Sequence, residues 1–111
     1  MKYVLVRYKV KLDKASENQE LIKTVFAELG KKRPDGLRYA SFLEDDGQSF
    51  IHVASIETKD GSNPLSDMEA FKAFQKDIKF RCIEPPLAVE LTEIGAYRLF
   101  HEQRLKNQMT R

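Results

Sequence analysis

The sequence holds one cysteine, Cys82, in 111 residues. No disulfide can form within the chain, and one thiol with two distant histidines, His52 and His101, matches no zinc or iron-sulfur ligand spacing. No structural metal is expected. Apolar runs of about 18 residues, the minimum for a membrane-spanning helix, are missing. The opening stretch Met1–Arg7 lacks the apolar core and small-residue cleavage site of a secretory signal, so the expected location is cytoplasmic. A strong charge of one sign is missing too: 19 basic against 17 acidic side chains leave +2, too little to steer a nucleic acid or an anionic membrane.

What remains is an ordinary globular composition, 41% hydrophobic and 32% charged, in a chain that builds one modest core. A single domain is expected over residues 1–100, followed by a polar, basic tail over 101–111. Residues 3–10, "YVLVRYKV", read as a strand with Val4, Val6, Tyr8 and Val10 on one face and Tyr3, Leu5, Arg7 and Lys9 on the other. Ser16 and Gln19 have the spacing of a capping box for a helix whose apolar stripe is Leu21, Ile22, Val25, Phe26 and Leu29, with Gly30 as its left-handed end.

Pro34-Asp35-Gly36 is turn chemistry, and "LRYASFLE" and "SFIHVASIE" flank Asp45-Asp46-Gly47-Gln48 as a hairpin. Two registers are open. A two-residue turn at Asp46-Gly47 sets Ser41 opposite His52, Tyr39 opposite Ala54 and Leu43 opposite Phe50, whereas a bulge at Gly47 sets Ala40 opposite His52. Ser66 and Glu69 form a second capping box, opening a helix with Met68, Phe71, Phe74 and Ile78 as its stripe and Pro85-Pro86 as its limit near Glu84. "LAVELTEI" is the fourth strand, and Gly95 marks a bulge beyond it.

The order is α+β, a ferredoxin-like βαββαβ with a four-stranded antiparallel sheet. Two helices cover one face of such a sheet, yet Tyr3, Leu5, Ile51 and Val53 make the other face apolar. A second copy of the sheet is the expected cover. The runs "VFAELGKKRPDGLRYASFLEDDGQSFIHVASIE" and "AFKAFQKDIKFRCIEPP" look like the helix-one, hairpin and helix-two blocks of small proteins in the antibiotic biosynthesis monooxygenase-like branch of the dimeric α+β barrel superfamily, a resemblance over about residues 3–100. It implies a homodimer with sheets back to back, and in each protomer a pocket between sheet and helices lined by Phe26, Phe71, Phe74 and strand residues. Haem-degrading members use an asparagine, a tryptophan and a histidine, and this chain has no tryptophan, so haem degradation is not expected. No motif of the oxygenases maps onto this chain residue by residue.

The residues themselves nominate His52, an imidazole in an apolar strand, as a catalytic base for a phenol or enol. Such a histidine is more commonly a packed, hydrogen-bonded one. Arg7 is a candidate for an anionic substrate oxygen, against a plain salt bridge, and Tyr39 and Tyr8 for hydrogen bonds to a ligand, against core packing with a wet hydroxyl. Phe26, Phe71 and Phe74 are candidate substrate-binding residues, although their spacing also suits a core stripe. Cys82 lacks a partner that would make it a nucleophile. The functional expectation is a cofactor-independent monooxygenase-like protein for a small phenolic or quinol compound, without cofactor or metal. The alternative is a non-catalytic protein that binds a small ligand or a partner on the same scaffold. The RNA-recognition fold shares the element order, but "QSFIHVAS" lacks the glycine-aromatic alternation of its strand motif, and nucleic acid is not an expected partner.

Overall fold

The structure, a computed structural model, describes residues 1–99; the expected tail at 101–111, His101 included, lies outside the described residues. Strands β1 (Lys2–Val10), β2 (Leu37–Leu43), β3 (Ser49–Ile56) and β4 (Cys82–Leu91) form one antiparallel sheet in the order β2-β3-β1-β4. Helices α1 (Ala15–Lys32), α2 (Glu69–Gln75) and α3 (Ile78–Arg81) complete the ferredoxin-like order. The core lies between sheet and helices, where Tyr8, Val10 and Phe50 meet Ala15, Val25 and Phe74.

Several boundaries differ from the sequence reading, each for a physical reason. A 3-10 turn over Leu12–Lys14 runs directly into α1, so Ser16 lies inside the helix and no side chain caps its start. Gly30 is helical as well, and the left-handed residue is Arg33 at φ 47°. It precedes Pro34, whose ring disfavours a further helical residue there. Ser66 sits in a 3-10 turn over Pro64–Asp67 that is capped instead by Asn63, whose side chain accepts from the Leu65 N–H at 3.0 Å. The start of α2 is capped across the core: Glu28 of α1 accepts from the Ala70 N–H at 2.8 Å.

The expected continuous second helix is broken at Asp77, which has φ 64°. After the single turn of α3, β4 begins at Cys82, five residues before the expected Leu87, and carries Pro85 and Pro86. As an edge strand hydrogen-bonded to β1 alone, it tolerates residues without an N–H. The two prolines fall where the pairing with β1 slips, between Arg7 and Lys9. β4 ends at Leu91, three residues before the expected Ile94, and Gly95 lies beyond it.

The hairpin takes the register that sets Ser41 opposite His52, Tyr39 opposite Ala54 and Leu43 opposite Phe50. Its turn is longer than two residues, because the Glu44 N–H donates to the Ser49 carbonyl at 2.8 Å and among Asp45, Asp46 and Gly47 the positive φ belongs to Gly47, at 73°. Asp46 holds the loop by accepting from the Gln48 and Ser49 N–H groups and the Ser49 hydroxyl, and these bonds pull its pKa down to about 2.

The sheet face away from the helices carries half-buried Leu5, Ile51 and Val53 and exposed Phe42, Leu87, Val89 and Leu91. Residues 92–99 turn back towards it: Glu93 accepts a hydrogen bond from the Tyr3 hydroxyl, and Leu99 lines a hollow with Ala40, Phe42 and Val53.

Gly36 is the one turn position where both conformation and space demand glycine. It has φ 79°, and an added Cβ would lie 3.0 Å from the Thr58 backbone nitrogen, whereas Gly47, at φ 73°, has open space around it. Gly36→Ala is expected to cost about 2 kcal/mol and Gly47→Ala about 1 kcal/mol. Urea unfolding midpoints check the order, and equal midpoints would refute it.

Candidate active site

Strand alternation and register assemble the site on the helix-facing side of the sheet. His52 stands opposite Ser41 on β2 and Val6 on β1, with Tyr39 and Tyr8 at the diagonal positions on either side. The two tyrosine rings flank the imidazole in near-parallel planes, with centroids 5.3 Å (Tyr8) and 5.9 Å (Tyr39) away. Phe74 tilts over the same imidazole from α2 at 5.4 Å.

Both imidazole nitrogens are hydrogen-bonded. Nε2 lies 2.8 Å from the Tyr8 hydroxyl, and Nδ1 lies 2.8 Å from the Tyr39 hydroxyl and 2.7 Å from that of Ser41. The chain continues into the helices: the Asn18 amide donates to the Tyr8 oxygen at 2.9 Å, and Arg81 Nε donates to Asn18 Oδ1 at 3.0 Å. Arg81 also donates to the carbonyls of Phe74 and Lys76, the groups freed by the helix break at Asp77. Asn18 is fully buried and Arg81 is 3% exposed. The partners described for this guanidinium are neutral, two carbonyls, an amide oxygen and the Phe74 ring 5.5 Å away.

Burial dominates the protonation chemistry. It lowers the His52 pKa to about 4, so the ring is neutral at pH 7. Burial raises the Tyr39 hydroxyl to about 12, opposed by a hydrogen bond from Ser41, and pushes Tyr8 up as well, opposed chiefly by Asn18. Every hydroxyl of the site is therefore protonated at neutral pH.

Beside this chain lies a cavity of about 410 Å³, a size suited to a small organic ligand. Tyr8, Tyr39 and His52 supply its polar wall on the sheet, and Asn63 and Gln75 add polar side chains from outside the sheet. Val4, Val6, Ala54 and Ile56 form its sheet side, and Phe71, Phe74 and Ile78 its helix side. Among the described residues, no lysine, arginine or carboxylate lines it. Among the described residues, no three histidine, cysteine or acidic side chains gather to hold a metal ion, and no helix is long and apolar enough to cross a membrane.

The sequence-derived candidates divide on this geometry. His52, Tyr39, Phe71 and Phe74 come together at the cavity. Arg7 does not: its place in the alternation of β1 puts it on the opposite face, paired with Glu44 at 2.8 Å and with Glu84 at 3.7 Å. Phe26 stacks on the Tyr39 ring at 5.2 Å and lines a separate hollow behind it, so it supports the site without facing the cavity. Asn18 and Arg81 were missed. Each falls where an apolar stripe, extended by one turn, places a polar residue: Asn18 before Leu21, Ile22 and Val25, and Arg81 after Phe74 and Ile78.

No family profile matches the sequence, and no curated protein matches it. Solved structures do. The Rv0793 protein from Mycobacterium tuberculosis superposes with a TM-score of 0.70 at 14% identity, covering 86% of this chain and 96% of its own. SnoaB, a cofactor-independent oxygenase from Streptomyces nogalater, superposes with a TM-score of 0.65 at 14% identity over 88% of this chain and 97% of its own. A candidate antibiotic biosynthesis monooxygenase from Nitrosomonas europaea gives 0.69 at 16% identity over 84% and 89%. This chain has the antibiotic biosynthesis monooxygenase fold. Within that fold the His52 chain and the cavity lie between sheet and helices, on the side away from the exposed apolar strand residues.

The buried imidazole makes stability depend on pH. In the unfolded chain His52 takes up a proton below about pH 6.5, while in the folded monooxygenase fold it resists until about pH 4. Between those values the unfolded state binds more protons, so stability falls as pH falls, by about 3 kcal/mol once the window is crossed. Urea unfolding at pH 7, 6 and 5 is expected to show this decline in the wild type and a shallower one in His52→Leu. Parallel slopes would contradict it.

Proposed function

We propose that the protein is a cofactor-independent oxygenase acting on a small phenolic or quinol-type compound, with His52 as proton acceptor and Tyr39 as a hydrogen-bond donor to the bound substrate. The observation that carries this reading is the hydrogen-bonded chain that runs from the Arg81 cation through the neutral side chains of Asn18, Tyr8 and His52 to Tyr39, beside a cavity that no charged side chain lines among the described residues. Phe71 and Phe74 supply flat apolar surface for an aromatic ring, and the polar wall meets its hydroxyls. The presence of a cofactor-independent oxygenase among the structures of this fold supports the same class.

The chemistry requires substrate deprotonation. A substrate hydroxyl placed at Tyr8 passes its proton to the Tyr8 oxygen as Tyr8 passes its own to His52 Nε2, which leaves a phenolate beside an imidazolium. The low resting pKa of His52 rises on that step, because an anion at hydrogen-bond distance favours the charged ring. The Arg81 cation behind Asn18 also favours an anion in the cavity. The ring carbon of the phenolate that carries a single hydrogen and most of the added electron density gives an electron pair to dioxygen and forms a C–O bond. The peroxide takes back the proton held by His52, and loss of water, which carries off one oxygen atom, that proton and the hydrogen on carbon, leaves a carbonyl at this carbon and another at the former phenolate.

A panel of quinols, anthrones and polyphenols assayed for oxygen uptake is expected to contain a substrate whose turnover drops about 100-fold in His52→Ala. No uptake across the panel, or an unchanged rate in the variant, would remove the enzymatic assignment. The second reading, a binding protein that leaves its ligand intact, draws on the engagement of both His52 nitrogens. A phenol that binds and is recovered unchanged favours it. A cytoplasmic site of action fits the half-buried Cys82, a free thiol.

The proposal includes a homodimer through the open sheet face, where Phe42, Leu87, Val89 and Leu91 are exposed and Ile94, Tyr97 and Leu99 project beside them. Apolar groups gathered on one side of a sheet are stabilised by removal from water. Sedimentation at high micromolar concentration is expected to give the mass of two chains for the wild type and of one for Val89→Glu. A monomeric wild type would exclude the dimer.

A further inference from the structure

We infer that Asn18, oriented by Arg81 and acting through Tyr8, holds His52 as the Nδ1–H tautomer, and so gives the cavity a proton-accepting end at Tyr8 and a proton-donating end at Tyr39. The inference deepens the reading of this cavity as a substrate site and rests on it for its functional meaning, but its geometry stands apart.

The direction of the chain is set where it begins. A guanidinium donates and cannot accept, so the Asn18 atom that faces Arg81 Nε at 3.0 Å is the amide oxygen, and the NH2 group is turned to Tyr8. The Tyr8 oxygen therefore accepts. Its own proton needs an acceptor, because the residue is 1% exposed and a buried hydroxyl without one is costly. The acceptor in reach is His52 Nε2 at 2.8 Å. With Nε2 unprotonated, the proton of the neutral ring sits on Nδ1, facing the Ser41 and Tyr39 oxygens. Where the Tyr39 oxygen accepts from Nδ1–H, its own proton is left for another acceptor, and the Tyr39 side chain lines the cavity.

Two consequences follow for a ligand. Its hydroxyl belongs at Tyr8, where the remaining oxygen lone pair and the Nε2 beyond it take up a proton. Its carbonyl or oxyanion belongs at Tyr39. A compound with a hydroxyl at one end and an acceptor oxygen at the other is thus oriented in one sense along the wall. Asn18 and Arg81 are positioning residues here, since they act on the ligand through Tyr8 and His52.

Long-range proton–nitrogen NMR of isotope-labelled histidine tests this directly, in a His101→Gln background so that one imidazole contributes. At neutral pH the expected spectrum shows a protonated Nδ1 and an unprotonated Nε2. In Asn18→Asp the carboxylate still meets Arg81 but accepts from Tyr8, whose oxygen then accepts from Nε2–H, and the proton moves from Nδ1 to Nε2. Tyr8→Phe, which keeps the ring and removes only the hydroxyl, is expected to give a mixture of both tautomers and to abolish the response to Asn18→Asp. A wild-type ring protonated at Nε2, an unchanged tautomer in folded Asn18→Asp, or a pure Nδ1–H signal in Tyr8→Phe would each overturn the inference. A fixed Nδ1–H tautomer without oxygen uptake on any substrate would leave it standing and remove the oxygenase reading instead.

Discussion

An imidazole placed in an apolar sheet is costly unless both of its nitrogens are bonded, and the architecture of this protein meets that requirement at His52 with three hydroxyls from its two neighbouring strands. Tyr8 comes from the neighbouring strand on one side, placed by the β1–β3 pairing, and Tyr39 and Ser41 from the strand on the other, placed by the β2–β3 pairing. A slip of one residue in the hairpin would set Ala40 opposite His52 and turn the alternation of β2 over. The loop that prevents this is held by Asp46, which accepts three hydrogen bonds there. Turn chemistry at the tip of the hairpin thus determines the partners of His52 Nδ1.

The same chain links the site to the helices. Arg81 is buried without a described carboxylate partner, and what makes that tolerable is the break at Asp77, which frees the Phe74 and Lys76 carbonyls for it. Arg81 in turn orients Asn18, and Asn18 feeds Tyr8. Helix irregularity and site chemistry are therefore one feature. An unbroken second helix would carry those carbonyls in its own hydrogen bonds, and the guanidinium would lose its acceptors.

The two faces of the sheet have different tasks. The covered face encloses an aromatic-lined cavity with a polar wall, and the open face presents aliphatic and aromatic groups to its surroundings. Arg7 illustrates the separation, because its parity on β1 assigns it to the open face and to Glu44. Chemistry nominated for it from residue type alone belongs on the other side of the strand.

Much was legible in the chain. Periodicity of two and of three to four marked four strands and the helical segments, turn residues marked the hairpin, and an imidazole among apolar neighbours marked His52, because these signals are local and depend on neighbours in sequence. The pairing register was narrowed to two cases. The helix break, the strand running through Pro85-Pro86 and the roles of Asn18 and Arg81 were not legible, since each depends on a partner distant in sequence: Asp77 has no glycine or proline beside it, the prolines are tolerated only at a sheet edge, and Asn18 and Arg81 are 63 residues apart. The amino-acid order by itself determined the alternation of faces and the presence of an ionisable group on the inner one. Only the tertiary structure decided what that group bonds to, because long-range packing alone brings together the donors and acceptors that a buried polar atom needs.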